Sequence, residues 1–227
     1  MLRVLLLALT CLVANSAFAA DWIVDRLRGE AFIQANGLWM TLDVGMAIPN
    51  GVQVKTGSNG RVDLVRGAEK VTLGAGTQIQ IRDAGSEMMT SITQTSGELV
   101  ADVERRNVQH FSVQTPFLAA VVKGTKFVVT VDRNGATVDV ERGVVQVQDT
   151  DHGLVADVQR GQQATVTTQS VLEVQGGSSA QVYTMEGVPV SANTASSING
   201  NGGNNGNGNG NGGNNGNGKG KGNSGGD

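Results

Sequence analysis

Two carboxylates have a spacing that glycoside hydrolysis could use. Asp139 and Glu141 lie two positions apart in the alternating stretch Ala136–Glu141, on one strand face and about 7 Å apart. Paired carboxylates at such distances can act as an acid and a nucleophile or base. However, the solvated face of an ordinary antiparallel strand produces the same spacing. We therefore predict that neither residue is catalytic.

The two histidines offer little metal chemistry. His110 stands beside a predicted strand and His152 in the turn 149–153, so carboxylates would have to supply most ligands of any metal site. Asp149-Thr150-Asp151 and Asp132-Arg133-Asn134 place oxygens two residues apart, but neither completes a calcium-loop pattern. We predict no metal site, turn roles for these acids, and solvent-exposed or strand-edge positions for both histidines.

No nucleophile or phosphate loop completes an enzyme site. No serine lies in a nucleophile elbow between a predicted strand and a helix, and Gly74-Ala75-Gly76 has no third glycine. The sequence therefore predicts no enzyme activity and no cofactor. Lys123 and Lys126 flank Gly124-Thr125, and we predict them as a local basic spot that contacts a partner protein or pairs with a carboxylate of the domain itself. An ordinary solvated strand edge would also carry such charges.

Strands would have to position all these residues. Runs of alternating β-branched or aliphatic residues, four to seven long, recur from Asp21 to Gly177 with turn residues between them. Starts about 8–12 residues apart are typical of an all-β domain. The predicted strands are Ala31–Ala35, Leu38–Leu42, Val52–Lys55, Arg61–Val65, Lys70–Leu73, Thr77–Arg82, Glu98–Val103, His110–Gln114, Phe127–Val131, Ala136–Glu141, Val144–Gln148, Leu154–Val158 and Gln163–Thr167.

Four Asn-Gly dipeptides predict tight hairpins, because Asn and Gly enter positive φ at low cost. They are Asn36-Gly37, Asn50-Gly51, Asn59-Gly60 and Asn134-Gly135. In the strand after the last of these, Val138 and Val140 are predicted to face the core, with Thr137, Asp139 and Glu141 facing solvent.

The stretch Gln109–Val131 is predicted to form strand, break, strand, break, strand. Pro116 interrupts the first ladder because it has no N–H to donate. Gly124 supplies a position open to φ > 0 or to close packing. The period-2 pattern predicts core positions for Phe111, Val113, Phe127, Val129 and Val131.

The N-terminus predicts a secretory signal peptide. Arg3 is followed by the apolar run Val4–Val13 and by the small-x-small site Ala17-Phe18-Ala19, so we expect cleavage after Ala19. The apolar run has about half the length of a membrane span, and we expect no transmembrane segment in the mature chain. Loss of Cys11 with this peptide leaves a mature chain without cysteine, so its stability must come from a core.

Composition excludes nucleic acid as a partner. Removal of Arg3 leaves 16 Lys and Arg against 20 Asp and Glu, scattered along the mature chain. A nucleic-acid-binding surface needs a basic stripe, and aromatic residues make up only 4% of the chain, too few for a base-stacking platform.

The C-terminus changes character. Residues 199–227 are almost entirely Asn and Gly, with Asn201–Gly210 repeated as Asn211–Gly220 except that Lys219 replaces Asn209. Such a segment has no apolar surface to offset ordering entropy, which predicts a disordered tail. Residues 176–198 are predicted to be a transition, with a last strand near Gln181–Thr184.

Several ordered motifs resemble the FecR domain, found in the periplasmic part of iron-dicitrate-type transmembrane sensors and in many exported proteins. The signature is Phe111-Ser-Val-Gln-Thr-Pro116 with Val121-Val-Lys-Gly-Thr-Lys-Phe-Val-Val-Thr-Val131. Its signature residues here are Thr115, Pro116, Gly124, Thr125 and Phe127. Supporting matches are Gly57–Leu64, Val71–Thr77, Ser96–Val103, Thr137–Val147 and Gly161-Gln162, so that the resemblance covers about 29–168.

Two departures limit what the resemblance implies. The family commonly has an acidic residue before the signature Phe, where this chain has Lys126, although Lys123 keeps the basic residue before Gly124. The family's sensors also carry a cytoplasmic anti-sigma segment and a membrane helix ahead of this domain. Here we expect a cleavable signal peptide instead, and therefore no transfer of the sensor's own activity.

The sequence thus predicts a signal peptide at 1–19, a FecR-like all-β domain at 20–175, a linker at 176–198 and the tail at 199–227. The expected fold is an antiparallel two-sheet sandwich or a compact β-roll or solenoid. The expected function is a non-catalytic periplasmic module that binds another envelope protein, through a strand edge or through loops around Pro116 and Lys123. A contribution to envelope signalling is part of this expectation. A secreted or cell-surface structural protein with a spacer tail is the alternative.

Overall fold

The computed structural model describes residues 21–84, 89–177 and 181–190. The predicted signal peptide and Asn/Gly tail lie outside the described residues, which form strands and turns without a helix. The strands are β1 (Trp22–Arg28), β2 (Ala31–Ala35), β3 (Leu38–Thr41), β4 (Ala47–Ile48), β5 (Gln53–Thr56), β6 (Arg61–Arg66), β7 (Glu69–Leu73), β8 (Gln78–Ala84), β9 (Met89–Asp102), β10 (Phe111–Gln114), β11 (Ala119–Val122), β12 (Lys126–Val131), β13 (Gly135–Arg142), β14 (Val144–Asp149), β15 (Leu154–Gln159), β16 (Gln163–Thr167), β17 (Glu173–Gln175), β18 (Val182–Thr184) and β19 (Pro189–Val190).

These strands form two sheets. Sheet A has the order β4-β1-β6-β7-β9-β12-β13-β16-β17, and sheet B has the order β3-β2-β5-β8-β9-β10-β11-β14-β15-β18-β19. Pairing is antiparallel in the described part of the chain except between β9 and β10, which are parallel. The all-β prediction is confirmed. The sheets also continue past the predicted boundary at 175, because β18 pairs with β15.

One strand, β9, belongs to both sheets. Its first half pairs with β8 and β10 in sheet B, and its second half, from Gly97 to Asp102, pairs with β12 in sheet A. The chain turns from one sheet into the other at Gly97, which has φ 84. A Cβ at this position would lie 2.5 Å from the Cα of Thr77, so only glycine fits this close to Thr77.

The chain changes sheets at one end of the domain before β9 and at the opposite end after it. From β5 to β9 the chain changes sheets at the end of the domain that carries Gly97, through 57–60, 74–77 and Gly97 itself. From β9 to β16 it changes sheets at the opposite end, which carries Asp102, through 103–110, 123–125, 143 and 160–162. We call these the Gly97 end and the Asp102 end.

After β9 the chain advances by hairpins that alternate between sheets B and A. Each turn is closed by the side chain of its first residue, which accepts a hydrogen bond from a backbone N–H three or four residues later. These residues recur every 17 or 18 positions: Thr115, Asp132, Asp149, Thr167 and Thr184. The second half of the domain is therefore a hairpin repeat wound around one core, a roll rather than a simple sandwich.

The core forms between the sheets from alternate residues of the strands. In β12 and β13 the side chains of Phe127, Val129, Val138 and Val140 are buried, as the alternation predicts. Residues from both halves of β9, among them Ile92 and Leu99, belong to the same hydrophobic cluster. One core thus serves both sheets.

The Asn-Gly dipeptides behave in different ways. Asn36-Gly37 forms the predicted tight hairpin turn, with φ of 50 and 78. Asn134-Gly135 also lies in a hairpin, but there the Asp132 carboxylate caps the turn. The hairpin prediction is wrong for Asn50-Gly51 and Asn59-Gly60, because each connects strands of different sheets. An Asn-Gly dipeptide determines the local bend of the chain, but it does not determine which sheet the next strand joins.

We predict that Gly97→Ala lowers the free energy of unfolding by roughly 2–4 kcal/mol, since it adds both left-handed strain and a clash with Thr77. Urea unfolding of the mature protein measures the loss. Gly153→Ala is the matched control, because Gly153 has φ 66 but open space around its Cβ direction; it should cost only the strain, about 1–2 kcal/mol. Equal losses in the two variants would contradict the close approach at Gly97.

Candidate functional site

The stretch Gln109–Val131 runs from one end of the domain to the other. Its Pro116 turn lies at the Gly97 end, where the Thr115 hydroxyl accepts hydrogen bonds from the N–H groups of Phe117 and Leu118. Its Gly124 corner lies at the Asp102 end. The loops around Pro116 and Lys123, both predicted as contact regions, therefore lie at opposite ends of the domain and do not share one surface. The strand pairing separates them by the length of β11.

The Gly124 corner is packed backbone against backbone. Gly124 has φ 149, and a Cβ there would collide with the Cα of Arg105 and lie 2.8 Å from its Cβ and its N. The buried Thr125 hydroxyl donates to the Val144 carbonyl at 3.1 Å, and the Val103 N–H donates to the Thr125 carbonyl at 2.9 Å. These contacts join three successive corners of the roll into one rigid framework.

A cleft of about 490 Å³ lies on this framework, and we call it the corner cleft. It is formed by the three corners and the β6–β7 turn, and its lining residues are Ala68, Asp102, Val103, Glu104, Arg105, Lys123, Gly124, Thr125, Arg142, Gly143 and Val144. Because its walls come from segments far apart in the chain, no short sequence motif could have revealed it.

The charges of the corner cleft are unevenly paired. Arg142 donates to the Asp102 carboxylate at 2.7 Å, and Glu104 lies 3.7 Å from Arg106. Lys123 and Arg105 are both exposed, and neither makes an ion pair with another described residue. The cleft therefore presents two cations without an ion-pair partner among the described residues, beside the half-exposed side chain of Val144.

Of the two lysines predicted as partner contacts, only Lys123 lines the corner cleft. Lys126 lies on the outer face of sheet A, with its ammonium 2.6 Å from the Glu141 carboxylate. The hydrogen bond to Glu141, together with the Glu141 charge, raises the pKa of Lys126. Lys126 therefore has a partner within the domain already.

The carboxylates that could have suggested hydrolysis also have separate partners. Asp139 accepts a hydrogen bond of 2.7 Å from the Gln163 amide, while Glu141 pairs with Lys126. Asp149 is fully buried and accepts from His152 and from the Leu172 N–H, so it ties its turn to the segment after β16. Within the described ranges, no three His, Cys, Asp or Glu side chains gather as metal ligands.

A buried ionic cluster lies beside the corner cleft. Arg66 donates to Glu69 at 2.7 Å, to Asp83 at 2.6 Å and to the Thr90 hydroxyl. Its guanidinium also lies 4.7 Å above the ring of the buried Trp22. Burial alone would lower the pKa of Arg66, but the hydrogen bonds to Glu69 and Asp83 outweigh that effect and raise it. The guanidinium stays charged and holds two strands' carboxylates in place.

Glu69 connects this cluster to the 103–110 crossing. Its Oε1 lies 3.2 Å from His110 Nε2 and 3.7 Å from Arg106 Nη2, although the His110 contact lacks hydrogen-bond geometry. The prediction that His110 is exposed or at a strand edge is wrong, because only 1% of it is accessible. Glu69 occupies the same face of β7 as the core residues Val71 and Leu73. This alternation in the sequence could have predicted that Glu69 is buried and needs a charged partner.

Part of this chain matches a known protein family. Residues 52–146, from the start of β5 into β14, match the family model described as FecR protein. The FecR resemblance is thereby confirmed over the part of the chain that contains β9, the carboxylates and Arg66 of the ionic cluster, and all lining residues of the corner cleft. Comparison with curated proteins finds no relative that matches this sequence.

Two solved structures are similar in part. Both are crystal structures of a candidate anti-sigma factor from Parabacteroides distasonis, at 1.65 Å and 2.50 Å. Each is 20% identical, with a TM-score of 0.49, and the match covers 55% of this chain and 59% of the solved chain. This chain thus spans less than two thirds of those proteins.

No helix in the described residues is long and apolar enough to cross a membrane.

We predict that Glu69→Gln lowers the free energy of unfolding by about 3 kcal/mol, because it removes the buried carboxylate that pairs with the partly buried Arg66. Glu141→Gln is the control: it breaks the exposed pair with Lys126 and should cost less than about 1 kcal/mol. Chemical denaturation of both variants measures the difference. Similar small losses in both would show that the buried cluster does not hold the crossing in place.

Proposed function

We propose that this protein is an exported, non-catalytic module with a FecR-type domain that binds another envelope protein through the corner cleft. The observation that supports this is the pair of exposed, unpaired cations, Lys123 and Arg105, on a backbone framework that Gly124 and Thr125 hold rigid. A preorganised surface loses little entropy when a partner docks.

The charges favour an acidic segment as the bound part of the partner. Lys123 and Arg105 would gain their first ion pairs on binding, whereas Arg142 and Arg106 already have carboxylates. Rim cations of this kind mainly raise the rate of encounter and select the partner, while the apolar contact comes from groups such as Val144. A cleft of about 490 Å³ accommodates a few side chains of a peptide loop.

Export rests on the sequence of the N-terminus. Arg3, the apolar run after it and the Ala17-Phe18-Ala19 site support cleavage by a signal peptidase, so that the mature chain begins at Ala20. We place the protein in the periplasm, with the cell surface as the other possible destination. A role in envelope signalling would follow if the partner is itself a signalling protein.

Photo-crosslinking in intact cells tests this proposal. A photoreactive residue at position 144, inside the corner cleft, should capture one envelope protein in the periplasmic fraction, on a chain that begins at Ala20. The same residue at position 133, in the exposed turn at the Gly97 end, should not. Arg105→Glu combined with Lys123→Glu should lower the yield at position 144 about tenfold, because both cations reverse sign.

Arg133→Glu, which reverses an exposed charge elsewhere, should leave the yield at position 144 unchanged and serves as the matched control. The proposal fails if positions 144 and 133 capture the same proteins equally. It also fails if charge reversal in the cleft has no larger effect than Arg133→Glu.

A further inference from the structure

A second group of cations lies on the outer face of sheet A, remote from the corner cleft. Arg26 and Arg28 of β1, Arg61 of β6 and Lys70 of β7 surround a depression of about 290 Å³. Leu27 and Asp63 complete its lining. We call this group the basic patch. It stands out because the chain as a whole carries a net charge of −3.

Two arginines of the basic patch face each other across the ladder. Arg28 and Arg61 are direct partners in the β1–β6 register, so their side chains leave the same face of the sheet about 5 Å apart. Like charges in this position destabilise a sheet. Both side chains are exposed, and neither forms an ion pair with another residue in the described part of the chain.

The nearby acids do not neutralise this pair. Asp63 accepts from the Lys70 ammonium at 2.7 Å and from the Thr72 hydroxyl at 2.7 Å. Burial raises the pKa of Asp63, but these hydrogen bonds and the positive charges of Lys70 and Arg61 outweigh it and lower the pKa. Asp25 lies 3.6 Å from Arg26. Each acid is thus in direct contact with another cation; the charge of Arg61 acts on Asp63 without an ion pair, and Arg28 forms none in the described part of the chain.

We infer that Arg28 and Arg61 form a binding site for a phosphate group. Arg28 and Arg61, at paired positions of neighbouring strands, bring two positive charges and about ten N–H donors together, whereas a carboxylate supplies one negative charge and about four acceptor positions. A phosphate offers more acceptor oxygens and up to two negative charges, which matches two arginines with Arg26 nearby. Phosphate therefore explains the like-charge pair better than an acidic peptide does.

The site does not depend on the function proposed for the corner cleft. Arg28 and Arg61 lie toward the Gly97 end of sheet A, where β1 and β6 meet next to Gly29 and Asn59. The corner cleft lies at the Asp102 end. The phosphate could belong to a lipid headgroup or to a soluble phosphorylated molecule, and the two sources can be separated by experiment.

The test uses the mature protein, the variant Arg28→Gln with Arg61→Gln, and the control Arg133→Gln with Arg160→Gln. The control removes two exposed arginines from other turns, so the net charges of the two variants are equal. Circular dichroism and urea unfolding establish that each variant is folded. Isothermal titration with inorganic pyrophosphate reports a soluble ligand, and sedimentation with phosphatidylglycerol vesicles, against phosphatidylcholine vesicles, reports a headgroup.

Binding in either assay should fall at least tenfold in the Arg28/Arg61 variant and stay within about twofold in the control, because each basic residue near an anionic surface changes binding roughly fivefold. Binding to vesicles alone would assign the phosphate to a lipid, and binding to pyrophosphate to a soluble ligand. The inference is overturned if the wild type binds neither probe, if both variants lose binding equally, or if a glutamate-rich peptide of equal charge binds more tightly than pyrophosphate.

Discussion

The backbone of β9 makes ladder hydrogen bonds in both sheets, and the rest of the structure depends on that continuity. Its first half lies between β8 and β10, and its second half between β7 and β12. Since a strand can change sheets only where the backbone bends sharply, Gly97 and its close approach to Thr77 fix the angle between the two sheets. Strands before and after β9 share one core because this strand connects them.

The reversal at β9 also creates the candidate site. After Asp102 the chain must return to sheet B at the same end, and it does so through 103–110, laid over the end of β7. That crossing would leave Glu69 buried without a partner, but His110 and Arg106 approach it, and Arg66 holds it from the other side. Arg105 is thereby fixed next to Gly124. The corner cleft follows from the way the two halves of the roll meet.

The alternation of apolar and polar side chains was sufficient to predict an all-β fold and the core face of strands such as β12 and β13. In a half-buried strand every second side chain faces the core, so the sequence itself shows the two-residue period. The first half of β9 was missed since its buried positions include the polar residues Thr90 and Gln94, and Gln94 bonds to the Gly97 and Val129 carbonyls. The hairpin repeat was missed because its capping residue is Thr in three turns and Asp in two, so no single residue type marks the repeat. The different environments of Lys123 and Lys126 depend on how β12 pairs with β13. This register cannot be deduced from a single sequence.

Native-state hydrogen exchange along β9, followed by NMR at increasing urea, distinguishes one cooperative folding unit from two. If β9 joins both sheets into one cooperative unit, the protected amides of its two halves, around Ile92 and Leu99, should exchange through the same global opening. The two halves would then show equal free energies of opening and equal urea dependence. A lower opening free energy for the Ile92 half alone, with β12 and β13 still protected, would contradict the account and show that the sheets unfold separately.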